Sequence, residues 1–195
     1  MKPDNLILFI LLILIPATLL AEKLRQPDIN KLQAGDLVFR TSHGFISDFA
    51  RNFSITDKRF SHVGIFFKSG ARMQVIHSIH DDNKNLDGVI IEPLTNFLQA
   101  ASNWAVYRLP LTLSQKNSLI LAARKYATQK IPFDSRFDLS TTHNFYCTEL
   151  VWHAAKKATS GQDIIKNRTL RAGSQFISIE DLYRNGNARL VESLY

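Results

Sequence analysis

The chain has 195 residues, of which 45% are hydrophobic and 21% are charged, and it carries a formal net charge of +7. This length and composition suit one globular domain with a buried core and exclude a disordered or low-complexity protein. Because the lysines and arginines are scattered and form no basic run interleaved with aromatic residues, the charge does not indicate a nucleic-acid-binding protein.

The N-terminal 21 residues differ from the rest of the chain. Lys2 precedes an apolar run over residues 6–20, and Ala21 ends it. A basic start, an apolar core and a small residue at the end are typical of a secretory signal peptide. The run is short for a membrane span, which needs about 20 apolar residues, and an uncleaved N-terminal anchor is the alternative. We expect residues 1–21 to direct export to the periplasm or extracytoplasmic envelope of a bacterium, and residues 22–195 to form a single domain.

The first half of the mature chain predicts strands joined by turns and two short helices. Period-2 alternation and β-branched or aromatic residues indicate the strands, and Gly, Asn and Asp mark the turns. The expected strands are 35–40 (after a turn), 61–67, 74–79, 89–94 and 104–109, with a loop at 81–88. The expected helices are 42–53, with Ser42 as a cap, and 95–102, with Thr95 as a cap.

The second half predicts longer helices. Apolar residues repeat at i, i+3/i+4 and i+7 from Ser114 to about Gln129. A long irregular connection over 131–146 follows, and a helical pattern resumes from Cys147 to about Thr159. The tail predicts a short helix at 178–184 and a last strand at 188–194. This order of elements predicts an α+β domain with a mostly antiparallel sheet.

Cys147, in the stretch NFYCTELVW, is the only cysteine of the chain. Exported domains usually carry paired cysteines, so a lone one is either a buried, inert core thiol or one retained for its chemistry. It lies where the irregular connection meets a predicted helix, and the free N–H groups and dipole of a helix start favour a thiolate. This position favours a nucleophile, which an adjacent imidazole would activate, over a structural thiol.

Two histidines are placed to supply that imidazole. His62 begins an apolar strand and can face a helix terminus packed on the sheet. If the turn lies near Gly70, His77 on the next strand sits roughly across from His62, where it can orient its ring. Each also has a plain interpretation as a hydrogen-bonded structural histidine. Of the other candidates, His43, His80, His143 and His153, we expect His80 and His143 in loops and His153 on a helix surface.

A zinc site is the other chemistry that these residues suggest. His62, His77, His80 and Cys147 could supply four ligands, but their spacing is irregular and no second cysteine supports the site. No glycine-rich phosphate loop and no GxSxG motif is present. We therefore expect neither a metal nor another cofactor.

Six stretches between about residues 34 and 158 carry a resemblance to a known family. They are AGDLVFR, FSHVGIFF, VIIEPLTNFL, YRL, LAARKYATQKIPFDSRFD and FYCTELVWHAAKKA. In this order they resemble the YiiX/YaeF-type permuted papain-like amidases, relatives of the NlpC-type cell-wall peptidases. The resemblance implies a circularly permuted papain-like (NlpC-type) fold, with an antiparallel sheet or open barrel packed against the helix bearing Cys147. It also implies Cys147 as nucleophile, His62 as base and His77 at the third catalytic position.

The sequence departs from that family at three positions. A glutamate is expected where His77 stands, and the histidine is similar to the lecithin retinol acyltransferase-like branch, whose His–His–Cys sites act on acyl groups of lipids. Gln129 replaces an expected glycine, and Ile179 replaces a common proline. Asp36 is interpreted as a turn or structural residue, whereas Asp134 and Asp138 are candidates for shaping the substrate cleft together with loops 42–60, 80–88 and 131–146.

These observations predict a cysteine hydrolase that cleaves amide bonds in cell-envelope peptides through a Cys–His–His acyl-enzyme. The alternatives are a lipid acyltransferase, thioesterase or phospholipase, and a non-catalytic envelope-binding module. The binding module is disfavoured because all three site positions hold chemically competent residues. The expected partner is a peptide, amide or acyl-lipid substrate, with transient membrane association through the N-terminal segment and no nucleic acid.

Overall fold

The computed structural model of the chain describes residues 26–42, 45–99, 101–171, 173–184 and 188–195. The predicted signal peptide or anchor and His43 lie outside these residues. Within them, no helix combines the length and the apolar character that crossing a membrane requires.

A six-stranded antiparallel sheet forms the centre of the fold. Its strands run in the order β4-β3-β2-β1-β5-β8, and each neighbouring pair is antiparallel. Because β4 and β8 end this order, the sheet is open and does not close into a barrel. The strands are β1 (Leu37–Arg40), β2 (His62–Ser69), β3 (Arg72–Asp81), β4 (Leu86–Pro93), β5 (Trp104–Arg108) and β8 (Arg189–Leu194).

Both faces of the sheet are buried, and helices cover them. The helices are α1 (Phe45–Phe53), α2 (Leu94–Gln99), α3 (Leu113–Thr128), α4 (Cys147–Ala158) and α5 (Ile179–Tyr183). Because side chains alternate along a strand, Leu37 and Phe39 enter the core that contains α3 and α4, whereas Val38 enters the core that contains α2. The predicted α+β class with an antiparallel sheet is therefore confirmed.

The β2–β3 hairpin sets the relative position of the two strand histidines. Gly70 occupies its turn with φ of +60°, a conformation that favours glycine, as the sequence predicts. The register then pairs Ser69 with Arg72 and Ile65 with Ile76.

Several element boundaries differ from the prediction. Helix α2 begins at Leu94, so Thr95 lies inside it and is not its cap. Ser42 lies three residues before α1, and its buried hydroxyl has no hydrogen-bond partner within the described part of the chain, so it is not the cap either. A 3₁₀ turn over Asp82–Lys84 and an early start of β4 replace most of the loop predicted at 81–88. An unpredicted hairpin, β6 (Thr169–Arg171) with β7 (Ser174–Phe176), has strands too short to show alternation.

The connection at 131–146 has no helix or strand, as predicted, and hydrogen bonds within it stabilise its path. The buried carboxylate of Asp134 accepts hydrogen bonds from the N–H groups of Arg136 and Asp138 and from the side-chain amide of Asn144. Asp134 thus folds the connection rather than facing a cleft. Asp138 accepts from the N–H of Ser140 at an exposed turn. These bonds fix the path of the chain into α4.

Candidate active site

His62 and His77 contact each other across the β2–β3 pair. The Nε2 atom of His62 lies 2.8 Å from the Nδ1 atom of His77, and the rings are nearly perpendicular at 84°. The contact is diagonal, because continuing the register places Gly64, not His62, opposite His77. A Cβ at Gly64 would lie 2.3 Å from Cγ1 of Val75 and 3.1 Å from Cβ of His77, so the glycine keeps this region free of a clash.

Glu92, on β4, lies on the far side of His77. Its Oε1 atom is 2.9 Å from Nε2 of His77, off the direction of a linear N–H bond. Because a carboxylate only accepts hydrogen bonds, it favours the tautomer of His77 that carries its proton on Nε2. The Nδ1 atom of His77 then accepts from Nε2–H of His62. This leaves a lone pair on Nδ1 of His62, as a general base requires.

Cys147 is the first residue of α4, and its neighbours fix it in place. The hydroxyl of Ser78, on β3, donates to the carbonyl of Phe145 at 2.5 Å. The hydroxyl of Tyr146 accepts a hydrogen bond from the N–H of Ile177, and the hydroxyl of Thr148 donates one to the carbonyl of Ile177. The start of α4 is thereby tied both to the sheet and to the segment before α5.

The sulfur of Cys147 lies beside the start of β2. Burial raises the pKa of the thiol to about 11, against the opposing effect of the nearby N–H groups of Val63, Thr148 and Cys147 itself. Since Val63 directly follows His62, the structure brings the cysteine to the strand end where His62 lies. Cys147 belongs to the core on the α4 face, whereas His62 and His77 contact Phe97 on the α2 face.

The resting site is electrically neutral at its centre. Burial lowers the pKa of His62 well below its usual value, with further lowering by Arg40 and His77. Burial also lowers the pKa of His77, although Glu92 acts in the opposite direction. Both imidazoles are therefore neutral at neutral pH, and the thiol keeps its proton. The thiolate expected at a helix start is not the resting form, because burial outweighs the helix N–H groups.

Two charged side chains without a role in the sequence prediction border this pair of histidines. Glu92 is one, and Arg40, directly opposite His62 in the β1–β2 register, is the other. The guanidinium of Arg40 lies 4.4 Å from the ring centroid of Phe97. In the sequence, each is a charged residue in an otherwise apolar strand: Arg40 at the end of LVFR, and Glu92 within VIIEP. Only the strand register shows which side chains Arg40 and Glu92 contact.

The remaining candidates that the structure describes do not join the site. His80 lies on β3, not in a loop, and its Nδ1 is 3.0 Å from a carboxylate oxygen of Asp87. His153 is partly buried and stacked on Phe145, which contradicts the predicted surface position. His143 is exposed in the irregular connection. Asp36 is structural: its buried carboxylate binds Arg108, with both contacts at 2.7 Å.

An apolar cleft borders Cys147. Phe53 from α1, Phe137 from the irregular connection and Phe176 from β7 line it, together with Ile177. The rings of Phe53 and Phe137 stack at 5.1 Å. Two of the three loop regions predicted to set specificity, 42–60 and 131–146, thus contribute side chains to the cleft, whereas 80–88 does not.

No three or more His, Cys, Asp or Glu side chains are grouped to hold a metal ion within the part of the chain that the structure describes. The four residues weighed as zinc ligands do not form such a group.

Comparisons with known proteins bear on both the fold and the chemistry. The model of the family described as permuted papain-like amidase enzyme, YaeF/YiiX, C92 family, matches residues 31–185. Among solved structures, the crystal structure of the metalloprotein yiiX from Escherichia coli O157:H7 is similar, with a TM-score of 0.66 and 19% identity. The likeness covers 85% of this chain and 99% of that one, and at this identity it shows the fold alone. A search of curated proteins finds no match.

Proposed function

This chain belongs to the permuted papain-like amidases of the YaeF/YiiX family, which are cysteine hydrolases, and we propose that it cleaves amide bonds of cell-envelope peptides through an acyl-enzyme on Cys147. The family match and the structural likeness to yiiX confirm the predicted resemblance and the permuted papain-like fold. The observation that carries the proposal is the 2.8 Å contact between His62 and His77 at the strand end beside the sole cysteine.

In the proposed first half-reaction, the thiol of Cys147 is neutral at rest and loses its proton at the same time as its sulfur attacks. The Nδ1 atom of His62 accepts that proton while the sulfur bonds to the substrate carbonyl carbon. The imidazolium that forms donates from Nε2 to His77, whose other nitrogen faces Glu92. His77 and Glu92 therefore orient the base and stabilise its charge, as the third member of a triad does.

The charge on the carbonyl oxygen develops next to the start of α4. The backbone N–H of Cys147 has no partner within the helix, because the first four N–H groups of a helix lack one. It is the proposed oxyanion donor, and the helix dipole adds to its effect.

Collapse of the tetrahedral intermediate completes the transfer. The C–N bond breaks, the leaving nitrogen takes the proton from His62, and a thioester on Cys147 remains. Water then attacks the thioester with His62 again as base, which releases the carboxylic acid and restores the thiol. No step requires a cofactor.

The envelope location rests on the composition of the N-terminal segment. Its basic start, apolar run and Ala21 are typical of a secretory signal. The net charge of +7 also suits work near anionic envelope polymers or lipid head groups. Export would bring the domain to the peptides that relatives of this family act upon.

A second candidate is hydrolysis or transfer of an acyl group of a lipid. Two observations favour it: the histidine at position 77, similar to the lecithin retinol acyltransferase-like branch, and the aromatic cleft beside Cys147 formed by Phe53, Phe137 and Phe176. An acyl chain would bury its methylenes against these rings, at about 0.8 kcal/mol per methylene.

Parallel assays of the two substrate classes separate these functions. Wild-type protein and Cys147→Ala are incubated with cell-wall peptide material and with acyl lipids, and the products are identified by mass spectrometry. Release of peptide fragments by wild type alone supports the envelope amidase. Release of fatty acid or a new acyl ester by wild type alone supports the lipid function. Equal product in the Cys147→Ala sample would overturn both.

A further inference from the structure

Arg40 is a partly buried charge that has no step in the proposed mechanism. Its Nη1 donates a hydrogen bond to the carbonyl of Phe97, and its guanidinium lies over the Phe97 ring. Its Nε atom is buried and has no hydrogen-bond partner among the residues that the structure describes. The side chain is thus held in one position while part of its hydrogen-bonding capacity stays unused.

The Phe97 ring brings Arg40 and both histidines around one centre. Its centroid lies 4.4 Å from the guanidinium carbon, 5.6 Å from the His62 ring and 5.1 Å from the His77 ring. Phe97 is fully buried, so little water can screen the charge on that side. Arg40 also stands directly opposite His62 in the strand register. Its charge therefore acts on the imidazoles at short range.

Burying a guanidinium without an ion pair is unfavourable. Among the described residues, no carboxylate lies within 4.0 Å of Arg40, unlike Arg59 and Arg108, which have Asp57 and Asp36. Burial lowers the pKa of Arg40. A charge kept at this position despite that cost is a sign of a role in the chemistry.

We propose that Arg40 is a positioning residue of the active site, whose charge keeps His62 a free base and stabilises the negative charge that forms on Cys147 during attack. The inference rests on the proposed function. Arg40 acts through His62 and Cys147. The directions agree, since Arg40 lowers the pKa of both histidines and acts to lower that of the Cys147 thiol.

The other charges around the histidines come from the neighbouring elements. Glu92 on β4 acts to raise the pKa of His77, and Lys84 of the 3₁₀ turn acts to lower it. Asp81, at the end of β3, acts on Arg40 itself. Arg40 acts on His62, His77 and Cys147 together.

A purely structural role is the competing explanation, because Arg40 ties β1 to α2 through the Phe97 carbonyl. The two explanations differ in what removal of the charge does to pH dependence. Loss of a structural tie lowers stability or activity at every pH. Loss of the charge raises the pKa of His62, and because the base must be neutral, the acid limb of the rate profile moves to higher pH.

The test compares Arg40→Met, Arg40→Gln and Arg40→Lys with the wild type. Arg40→Gln retains an N–H donor for the Phe97 carbonyl, so it tests charge if Arg40→Met disturbs the fold, which circular dichroism checks. Arg124→Met is the matched control. The guanidinium of Arg124 also lies over an aromatic ring, 5.5 Å from the centroid of Phe67, but Arg124 is an exposed residue of α3. Acetylation of Cys147 by p-nitrophenyl acetate is followed against pH by intact mass. His62 is titrated by NMR in a Cys147→Ala background.

The expected result is a rise of the His62 midpoint by about one pH unit in Arg40→Met and Arg40→Gln. Acetylation at the plateau should slow about tenfold or more. Arg40→Lys should restore most of the wild-type His62 midpoint and most of the acetylation rate. Arg124→Met should match the wild type in both measurements. An unchanged His62 titration in a folded neutral variant would overturn the inference. Failure of the wild type to acetylate would refute the proposed function instead, while the NMR titration would still decide the role of Arg40.

Discussion

The Nε2 atom of His62 and the Nδ1 atom of His77 lie 2.8 Å apart on adjacent antiparallel strands. This relationship fixes which nitrogen of His62 is free for the thiol. With Nε2 bound to His77, only Nδ1 remains to act as a base toward Cys147. Glu92, 2.9 Å from the other nitrogen of His77, extends the same chain of contacts to a carboxylate.

Removing the ring of His77 should abolish this orientation without removing the base. We expect His77→Ala to slow acylation of Cys147 by about 10²- to 10⁴-fold, because His62 loses its partner and can take the wrong tautomer. His80→Ala is the control, since His80 lies three residues along the same strand and pairs with exposed Asp87. Single-turnover acylation measures both, and equal rates in the two variants would contradict the role of His77.

Replacing Glu92 with Gln should slow acylation less than His77→Ala does. Glu92 acts to raise the pKa of His77 and stabilises positive charge on the histidines, so its neutral replacement should slow acylation about tenfold. The matched control is Asp87→Asn, which alters a carboxylate–histidine contact of 3.0 Å on the same two strands, away from the site. Nitrogen NMR should show Nε2 of His77 protonated in the wild type. Protonation of Nδ1 instead would refute the assigned tautomer.

The raised pKa of Cys147 predicts a specific pH dependence of alkylation. Because only the thiolate reacts and the pKa is about 11, the rate of reaction with iodoacetamide should rise about tenfold per pH unit from neutrality to about pH 10. A catalytic thiolate formed in advance would react at a constant rate from low pH. Such a plateau would show that the resting site holds an ion pair.

Glu149, buried in the first turn of α4, should make stability depend on pH. Burial raises its pKa to about 8, with Asp134 adding to the effect. A carboxyl with a raised folded-state pKa stabilises the fold fully below its ordinary pKa, and this contribution is lost as pH rises toward about 8. Glu149→Gln should therefore raise the free energy of unfolding above about pH 7, by about 2 kcal/mol near pH 8.

Glu180 is the control, because replacing it should change the free energy of unfolding in the opposite direction. Its pKa is lowered, since hydrogen bonds from Thr56 and the N–H groups of Ile55, Thr56 and Asp57 outweigh its burial. Glu180→Gln should destabilise the fold at pH 7. Denaturant unfolding at several pH values compares the two variants, and a loss of stability in Glu149→Gln at pH 8 would contradict the account.

The elements that carry Cys147, His62 and His77 could be predicted because each pattern lies within one element. The start of α4 follows from an apolar helical repeat after an irregular connection, and the β2–β3 hairpin follows from Gly70 between two apolar runs. A resemblance to one family joined these separate pieces into a site.

The roles of Arg40 and Glu92 could not be predicted in this way. They depend on the β1–β2 and β3–β4 registers and on a shared ring, that of Phe97, which no local pattern reveals. Helical periodicity predicts a surface position for His153, because it does not show that Phe145 covers this ring. The resting protonation of Cys147 also depends on burial, and a sequence gives the helix start but not the depth of the thiol.

The most direct test of the central claim is the covalent acyl-enzyme itself. The protein is mixed with p-nitrophenyl acetate, quenched in acid and analysed by intact mass and peptide mapping, in wild type, His62→Ala and the exposed-site control His143→Ala. We predict one acetyl group on Cys147 in the wild type and in His143→Ala, formed at least about a hundredfold more slowly in His62→Ala. An unmodified Cys147, or equal rates in wild type and His62→Ala, would contradict the assignment of Cys147 and His62 as nucleophile and base.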